Sequence, residues 1–106
     1  MKIKLEDKEF ELEVNGYFMK KYYDLFQSNV IIDTYKAFET GDLYQTAKLT
    51  YCAIKEIDVS FEEWLISFKN PYFLLDEYEK IKNFMMKDMK PTVSYNGSEE
   101  EKKTQI

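Results

Sequence analysis

The feature that most constrains the fold of this chain is a change in the spacing of its apolar residues near position 15. Before that point, apolar side chains fall on alternate positions in two short runs, namely Ile3 and Leu5, then Phe10, Leu12 and Val14. A period of two is typical of strands that bury one face. From about residue 17 to residue 89 the apolar residues recur every three or four positions, which predicts amphipathic helices.

The two periods predict a hairpin followed by four to five short helices. The strands should cover residues 2–6 and 9–14, joined by a turn in which Asp7 favours chain reversal. An isolated hairpin is only marginally stable in water, so its apolar face should pack on the helices. The predicted helices lie at about 17–27, 30–40, 43–54, 61–70 and 73–89. The predicted fold class is therefore α+β and mainly α, a hairpin packed on a compact helical bundle.

One apolar stripe on each predicted helix provides the predicted core. The stripes are Phe18, Tyr22, Leu25 and Phe26; Ile31, Tyr35 and Phe38; Leu43, Ala47, Tyr51 and Ile54; Phe61, Trp64, Leu65 and Phe68; and Leu74, Tyr78, Ile81 and Met85. Ser60 and Glu63 fit a capping box at the start of the fourth helix, and Asp42 fits a cap of the third. Pro71 should end the fourth helix at the preceding residue. We expect Trp64 to lie inside, against the third and last helices.

The composition changes after Lys90. Residues 91–106 contain a proline, an Asn-Gly pair and a charged run, and this composition predicts a flexible polar tail. Val93 and Tyr95 alternate with polar neighbours, a pattern that would also fit a short edge strand. We therefore expect a single domain over residues 1–90, followed by the tail.

Charge and residue types argue for a binding protein rather than an enzyme. The chain has 20 acidic and 15 basic residues, a net charge of −5, which disfavours nucleic acid as a partner. It has no histidine, and its one cysteine, Cys52, lies in an apolar stretch where a free thiol usually behaves as a buried hydrophobe. A nucleophilic cysteine needs an activating base. We expect no catalytic residues, no cofactor and no metal site.

The first residues lack the features of a targeting segment. Residues 1–14 alternate charge with hydrophobe, unlike the apolar region of a signal peptide. No stretch approaches the roughly 20 apolar residues of a membrane span. We therefore expect a soluble intracellular protein without a membrane partner.

The two ends of the last predicted helix carry more large apolar residues than one stripe can bury. Exposed apolar patches mark interaction sites, and methionine suits adaptable binding surfaces. The candidate partner-binding residues are Tyr72, Phe73, Leu75, Met86 and Met89. The alternatives are that the residues around Pro71 are buried from both sides, and that Met85 fills the core while the exposure of the other methionines is incidental.

Several motifs, taken in order, resemble a known family. They are the opening MKIKL, the EFEL run of Glu9–Leu12, the helical entry after Asn15-Gly16, the LTYCAI run of Leu49–Ile54 and the SFEEWL run of Ser60–Leu65. Over about residues 1–85 this order resembles the tail assembly chaperones of long-tailed phages and prophages of Gram-positive bacteria.

The resemblance implies a function without catalysis. In that family a small acidic protein coats the tape measure protein, which is long, helical and aggregation-prone, until tail tube subunits polymerise around it. The implied partners are the tape measure protein, the tail tube protein and further copies of the chain, in the cytoplasm of the host bacterium. Many members also have a longer, frameshifted product, and the short tail here would suit the unshifted form.

Three other classes of function remain open. A small acidic phage or bacterial regulator would bind and inhibit a host protein. A structural head–tail connector would be found in finished particles, whereas a chaperone would be absent from them. An enzyme is the least favoured class, because the chain lacks a recognisable set of nucleophile, base and metal ligands.

Overall fold

A two-stranded antiparallel hairpin opens the chain. The computed structural model describes residues 1–87. The strands are β1, Lys2–Leu5, and β2, Lys8–Glu11. Glu6 and Asp7 form the turn between them, and Glu6 adopts a left-handed backbone with φ of 55°. Ile3 and Leu5 are buried, so the hairpin packs its apolar face on the rest of the protein as predicted.

Five α-helices follow the hairpin in the described part of the chain. They are α1, Gly16–Phe26; α2, Val30–Thr40; α3, Leu43–Ala53; α4, Phe61–Ile66; and α5, Tyr78–Met86, which follows a 3-10 turn at Leu75–Glu77. This confirms the predicted α+β, mainly α, fold class. None of the helices in residues 1–87 has the length and apolar character needed to cross a bilayer.

Local capping signals account for where most helices begin. The side chains of Asn15, Asn29 and Asp42 each accept a backbone N–H from the first turn of α1, α2 and α3. The capping box at the start of α4 is also confirmed, because Ser60 accepts the N–H of Glu63 and the Glu63 carboxylate accepts the N–H of Ser60. These bonds satisfy donors that the first helical turn leaves free.

The second strand is shorter than predicted. β2 ends at Glu11, which is paired with Lys2, the first residue of β1. Leu12 instead forms an isolated bridge with Ile54, at the end of α3, and Val14 is exposed. The prediction that residues 12–14 continue the strand was therefore wrong.

The fourth helix also ends early, at Ile66 rather than near residue 70. The hydroxyl of Ser67 donates to the carbonyl of Trp64 at 2.6 Å. The backbone N–H groups of Lys69 and Asn70 then donate to the carboxylate of Glu6, at 3.0 and 2.9 Å. The carboxylate of Glu6, in the hairpin turn, thus accepts backbone N–H groups that would donate within α4 if that helix were longer.

The last helix begins later than predicted, at Tyr78. From Asn70 to Glu77 the chain advances through successive hydrogen bonds three residues apart, including Glu77 N–H to Leu74 O at 3.1 Å. This tighter winding is usual in short connecting pieces. The Glu77 carboxylate accepts the backbone N–H of Lys4 at 2.7 Å, which ties the segment to β1.

The buried residues form one core. Every strand and helix in residues 1–87 contributes to it, either with a buried side chain or with a partly buried apolar side chain that packs against the core. The buried apolar residues are Ile3, Leu5, Leu12, Phe18, Tyr22, Val30, Ala37, Phe38, Ala47, Leu49, Tyr51, Cys52, Ala53, Ile54, Phe61, Trp64, Phe68, Leu74, Ile81 and Met85. Two predicted core residues are exposed instead, Leu25 at 48 % and Ile31 at 46 %. In α2 the buried stripe begins at Val30, one residue earlier than predicted, which turns Ile31 outwards.

Trp64 lies at the centre of an aromatic cluster. Its ring centroid is 5.6 Å from that of Tyr51 in α3, 5.1 Å from Phe68 and 6.1 Å from Phe10 of β2. Burial against the third helix is confirmed. The other ring partners are Phe10 of the hairpin, Phe61 of α4 itself, and Phe68 and Phe73 from the segment between α4 and α5.

The predicted tail at 91–106, the domain boundary at residue 90 and the edge strand at Val93 and Tyr95 all lie outside the described residues.

Candidate functional site

Exposed apolar side chains are concentrated on the first two helices. Among residues 1–87, twelve large apolar side chains are exposed, and seven of them lie between positions 14 and 32. They are Val14, Tyr17, Met19, Tyr23, Leu25, Ile31 and Ile32. Exposed apolar side chains mark a candidate interaction site, and the residues of interest here are those of the seven that line a common cleft.

Two adjoining clefts of about 280 and 290 Å³ run between α1 and the start of α2. They share Met19, Val30 and Ile31 as lining residues, so the two clefts lie side by side and are treated together as one groove. We call it the α1–α2 groove. Its lining residues are Val14, Asn15, Gly16, Phe18, Met19, Lys20, Tyr23, Ser28, Asn29, Val30, Ile31, Thr34 and Met85.

Helical geometry explains why these side chains are left at the surface. α1 buries Phe18 and Tyr22, and the residues that follow each of them, Met19 and Tyr23, lie on the adjoining face. Gln27 ends α1 in a left-handed conformation, with φ of 53°, and α2 begins three residues later. The tight connection brings the outward face of α1 next to Ile31.

Three polar side chains of the groove bond to the backbone of their own helices. Asn15 accepts the N–H of Phe18 at 3.0 Å, and Asn29 accepts the N–H groups of Ile31 and Ile32. The Thr34 hydroxyl donates to the Val30 carbonyl at 2.6 Å. Because these groups bond within their own helices, the groove presents mainly apolar surface to an occupant.

A second cleft lies at the proline corner, where the sequence predicts a binding surface. This corner cleft, of about 260 Å³, is lined by Leu43, Tyr44, Ala47, Leu65, Phe68, Asn70, Pro71, Phe73 and Leu74. Tyr72 and Leu75 are exposed beside it, whereas Phe73 is half-buried. The first two are therefore free to contact a partner, and Phe73 is shared between the cleft and the core.

Met86 does not join that surface. It lines a separate cleft of about 400 Å³ with Tyr35, Phe38, Glu39 and Lys82, and the two clefts have no lining residue in common. Met89 lies outside the described residues. The structure thus brings Tyr72, Phe73 and Leu75 together and places Met86 elsewhere. Their role in partner binding stays a prediction.

Sequence reasoning missed the α1–α2 groove because it assigned one apolar stripe to each helix. The sequence does contain a signal for this groove, because α1 has more large apolar residues than its buried stripe holds. Tyr17, Met19 and Tyr23 lie outside that stripe. In α2, the spacing of Ile31, Tyr35 and Phe38 predicted that Ile31 is buried. An apolar residue beyond one stripe is a candidate for the surface.

The buried titratable groups serve structure. The Tyr22 hydroxyl donates to the carboxylate of Asp33 at 2.8 Å and accepts from the side-chain amide of Gln45. Burial, followed by the bond to Asp33, raises the pKa of Tyr22 well above its usual value. Burial also raises the pKa of the Cys52 thiol to about 12. Both groups therefore stay protonated at neutral pH, and the thiol is a poor nucleophile.

Within residues 1–87 no group of three or more histidine, cysteine, aspartate or glutamate side chains is arranged to hold a metal ion.

No family model, curated protein or solved structure matches this chain.

Proposed function

We propose that this protein is a phage tail assembly chaperone that binds the tape measure protein and keeps it soluble during tail assembly. The observation that carries the proposal is the concentration of exposed apolar side chains on α1 and α2, in a protein with a net charge of −5. The order of motifs that resembles the family supports the same function.

The physical task of such a chaperone matches these features. A long amphipathic client aggregates through its apolar face, and a binding protein prevents this by covering that face with an apolar groove of its own. A net charge far from zero favours the solubility of the complex. Neither requirement involves a nucleophile, a general base or a metal ion, so the proposed function is non-enzymatic.

The corner surface is a second proposed contact with the client. Tyr72 and Leu75 are exposed there, and hot spots at interfaces are few and often aromatic. Phe73, Met86 and Met89 remain candidate contacts. We also propose that several copies of the chain assemble along one client, in the host cytoplasm, and give way to tail tube subunits.

The test is co-expression with the tape measure protein of the same phage or prophage. The wild-type protein should shift the client from the pellet to the soluble fraction, and the two should co-purify. An unrelated acidic protein of similar size, expressed in the same way, is the control for non-specific effects on solubility.

Two other results would contradict the proposal. If the folded wild-type protein neither binds nor solubilises the client, the function should be dropped in favour of a regulator that binds a host protein, and affinity capture from host lysate becomes the next experiment. If the protein is found in finished particles, it is a structural component, because a chaperone leaves before the particle is complete.

A further inference from the structure

We propose that the α1–α2 groove is the docking site for a single amphipathic helix whose uncharged apolar stripe enters the groove. The proposal rests on the proposed function only for the identity of the client, the tape measure protein. The site itself is inferred from the length, the chemistry and the area of the groove.

The length of the groove suits one helix. Its lining residues in α1 extend from Gly16 to Tyr23, a span of about 10 Å at 1.5 Å per residue. A helix that docks through positions i, i+3 or i+4, and i+7 also needs about 10 Å. The groove therefore accommodates three successive anchor residues of one partner helix.

The chemistry of the groove indicates which side chains the partner helix should present to it. Among the described residues that line it, Lys20 alone is charged, and its ammonium group pairs with Asp24 at 2.6 Å. Asn15, Asn29 and Thr34 bond within their own helices. A charged anchor would lose its hydration without gaining a partner here, so the anchors should be uncharged and apolar.

The area of the groove favours a helix over a second copy of this chain. Val14, Met19, Tyr23 and Ile31 are between 39 and 59 % exposed. Even a large aromatic side chain buries only on the order of 200 Å², so these four together offer at most about 400 Å² of exposed apolar surface. A stable dimer needs about 800 Å² from each partner. The apolar surface of the groove is therefore at most about half of what a dimer needs, which fits a short helical segment.

Adjacent residues provide a matched pair of variants. Ile31 and Ile32 are 46 and 51 % exposed, both lie in the first turn of α2, and both backbone N–H groups bond to Asn29. Ile31 lines both clefts of the groove, and Ile32 lines neither. An aspartate at either position is tolerated by the positive end of the helix dipole. Ile31→Asp therefore tests the groove, and Ile32→Asp is its control.

Two assays distinguish a failure of the proposed docking site from a failure of the proposed function. The first is co-expression with the tape measure protein. The second measures fluorescence anisotropy with a labelled helical peptide of about 18 residues, or five turns, that carries leucines at i, i+3, i+4 and i+7. We expect Ile31→Asp to weaken peptide binding at least about tenfold, as loss of a central anchor does, and Ile32→Asp to leave it unchanged. Circular dichroism should show that both variants are folded.

The outcomes are distinguishable. If Ile31→Asp solubilises the client as well as the wild type does, the groove is not the site, although the proposed function stands. If the wild type fails with the client but binds the peptide through Ile31, the proposed function fails and the groove stands. A wild type that binds no peptide at about 1 mM, the weak end of specific affinity, overturns helix docking.

Two other occupants would also overturn the proposal. If sedimentation shows a dimer for the wild type and for Ile32→Asp but a monomer for Ile31→Asp, the groove holds a second copy. If nuclear Overhauser contacts connect the Ile31 methyl groups to residues 88–106 of the same chain, the groove is covered from within.

Discussion

The ring of Phe73 stacks on the ring of Phe68, with centroids 4.0 Å apart and planes inclined by 5°. Both rings also meet Trp64 edge-on, at 5.7 and 5.1 Å. Phe73 therefore lines the corner cleft and at the same time closes one side of the aromatic cluster. A substitution at this position changes the core as well as the surface.

The neighbouring residue offers a direct comparison. We expect Phe73→Ala to lower the free energy of unfolding by about 2 kcal/mol, less than a fully buried phenylalanine would, because the side chain is half-buried. Tyr72→Ala should change it by less than about 0.5 kcal/mol, since Tyr72 is 61 % exposed. Urea unfolding measures both. Equal losses would show that the stack does not stabilise the fold.

This difference also affects the choice of binding variants. Phe73→Asp is expected to weaken client binding more than Met89→Asp, but part of that loss would come from instability. Tyr72→Asp is the cleaner probe of the corner surface, because Tyr72 is exposed. A soluble, folded Tyr72→Asp protein that binds the client as well as the wild type does would remove this residue from the proposed interface.

A second prediction concerns the centre of the cluster. Trp64 is 3 % exposed and makes ring contacts with β2, α3 and the corner. Trp64→Ala should cost about 3–5 kcal/mol, enough to unfold a domain of ordinary stability. Ile66→Ala, on the same short helix but 80 % exposed, should cost less than about 0.5 kcal/mol. A loss below about 1 kcal/mol for Trp64→Ala in thermal or urea unfolding would contradict the packing described for it.

A third prediction follows from the bond between the hairpin turn and the corner. The backbone N–H of Asn70, with that of Lys69 and two lysine charges, lowers the pKa of the Glu6 carboxyl below its usual value of 4.5. A carboxyl whose pKa is lower in the folded state stabilises the fold when it is ionised. The contribution is therefore present above pH 4.5 and is lost as the pH falls through the folded-state pKa.

Glu6→Gln tests this linkage because it removes the charge and keeps the shape. The wild type should be more stable than Glu6→Gln near neutral pH, and the difference should shrink as the pH falls below 4.5. Urea midpoints measured for both proteins across that range provide the comparison. A difference independent of pH would mean that the charge of Glu6 does not contribute.

A fourth prediction concerns the free thiol. Cys52 is 2 % exposed, and burial raises its pKa to about 12. Since the thiolate is the reactive form, the native protein should react very slowly with an aromatic disulfide reagent at about pH 8. The same protein in concentrated urea should react at the rate of an ordinary thiol, which is the control. Fast reaction of the native protein would show that α3 opens or that the thiol is accessible.

The sequence determined the features that depend on a few neighbouring residues. The capping box of Ser60 and Glu63 and the cap at Asp42 act within three positions, so each follows from residue types and their spacing alone. The same holds for the glycine at the end of α2, Gly41, whose φ is 70°. The change of apolar period predicted the hairpin and the helical body for the same reason.

Tertiary contacts decided what the local patterns leave open. α4 ends at Ile66 because the amides of Lys69 and Asn70 bond to Glu6, more than 60 residues away in the chain. Periodicity identifies apolar residues but cannot tell which neighbour will cover each of them. Val30 is covered by the core, whereas Ile31 beside it faces outwards. The α1–α2 groove exists because burial depends on how the helices are packed together, and one sequence pattern is compatible with several such packings.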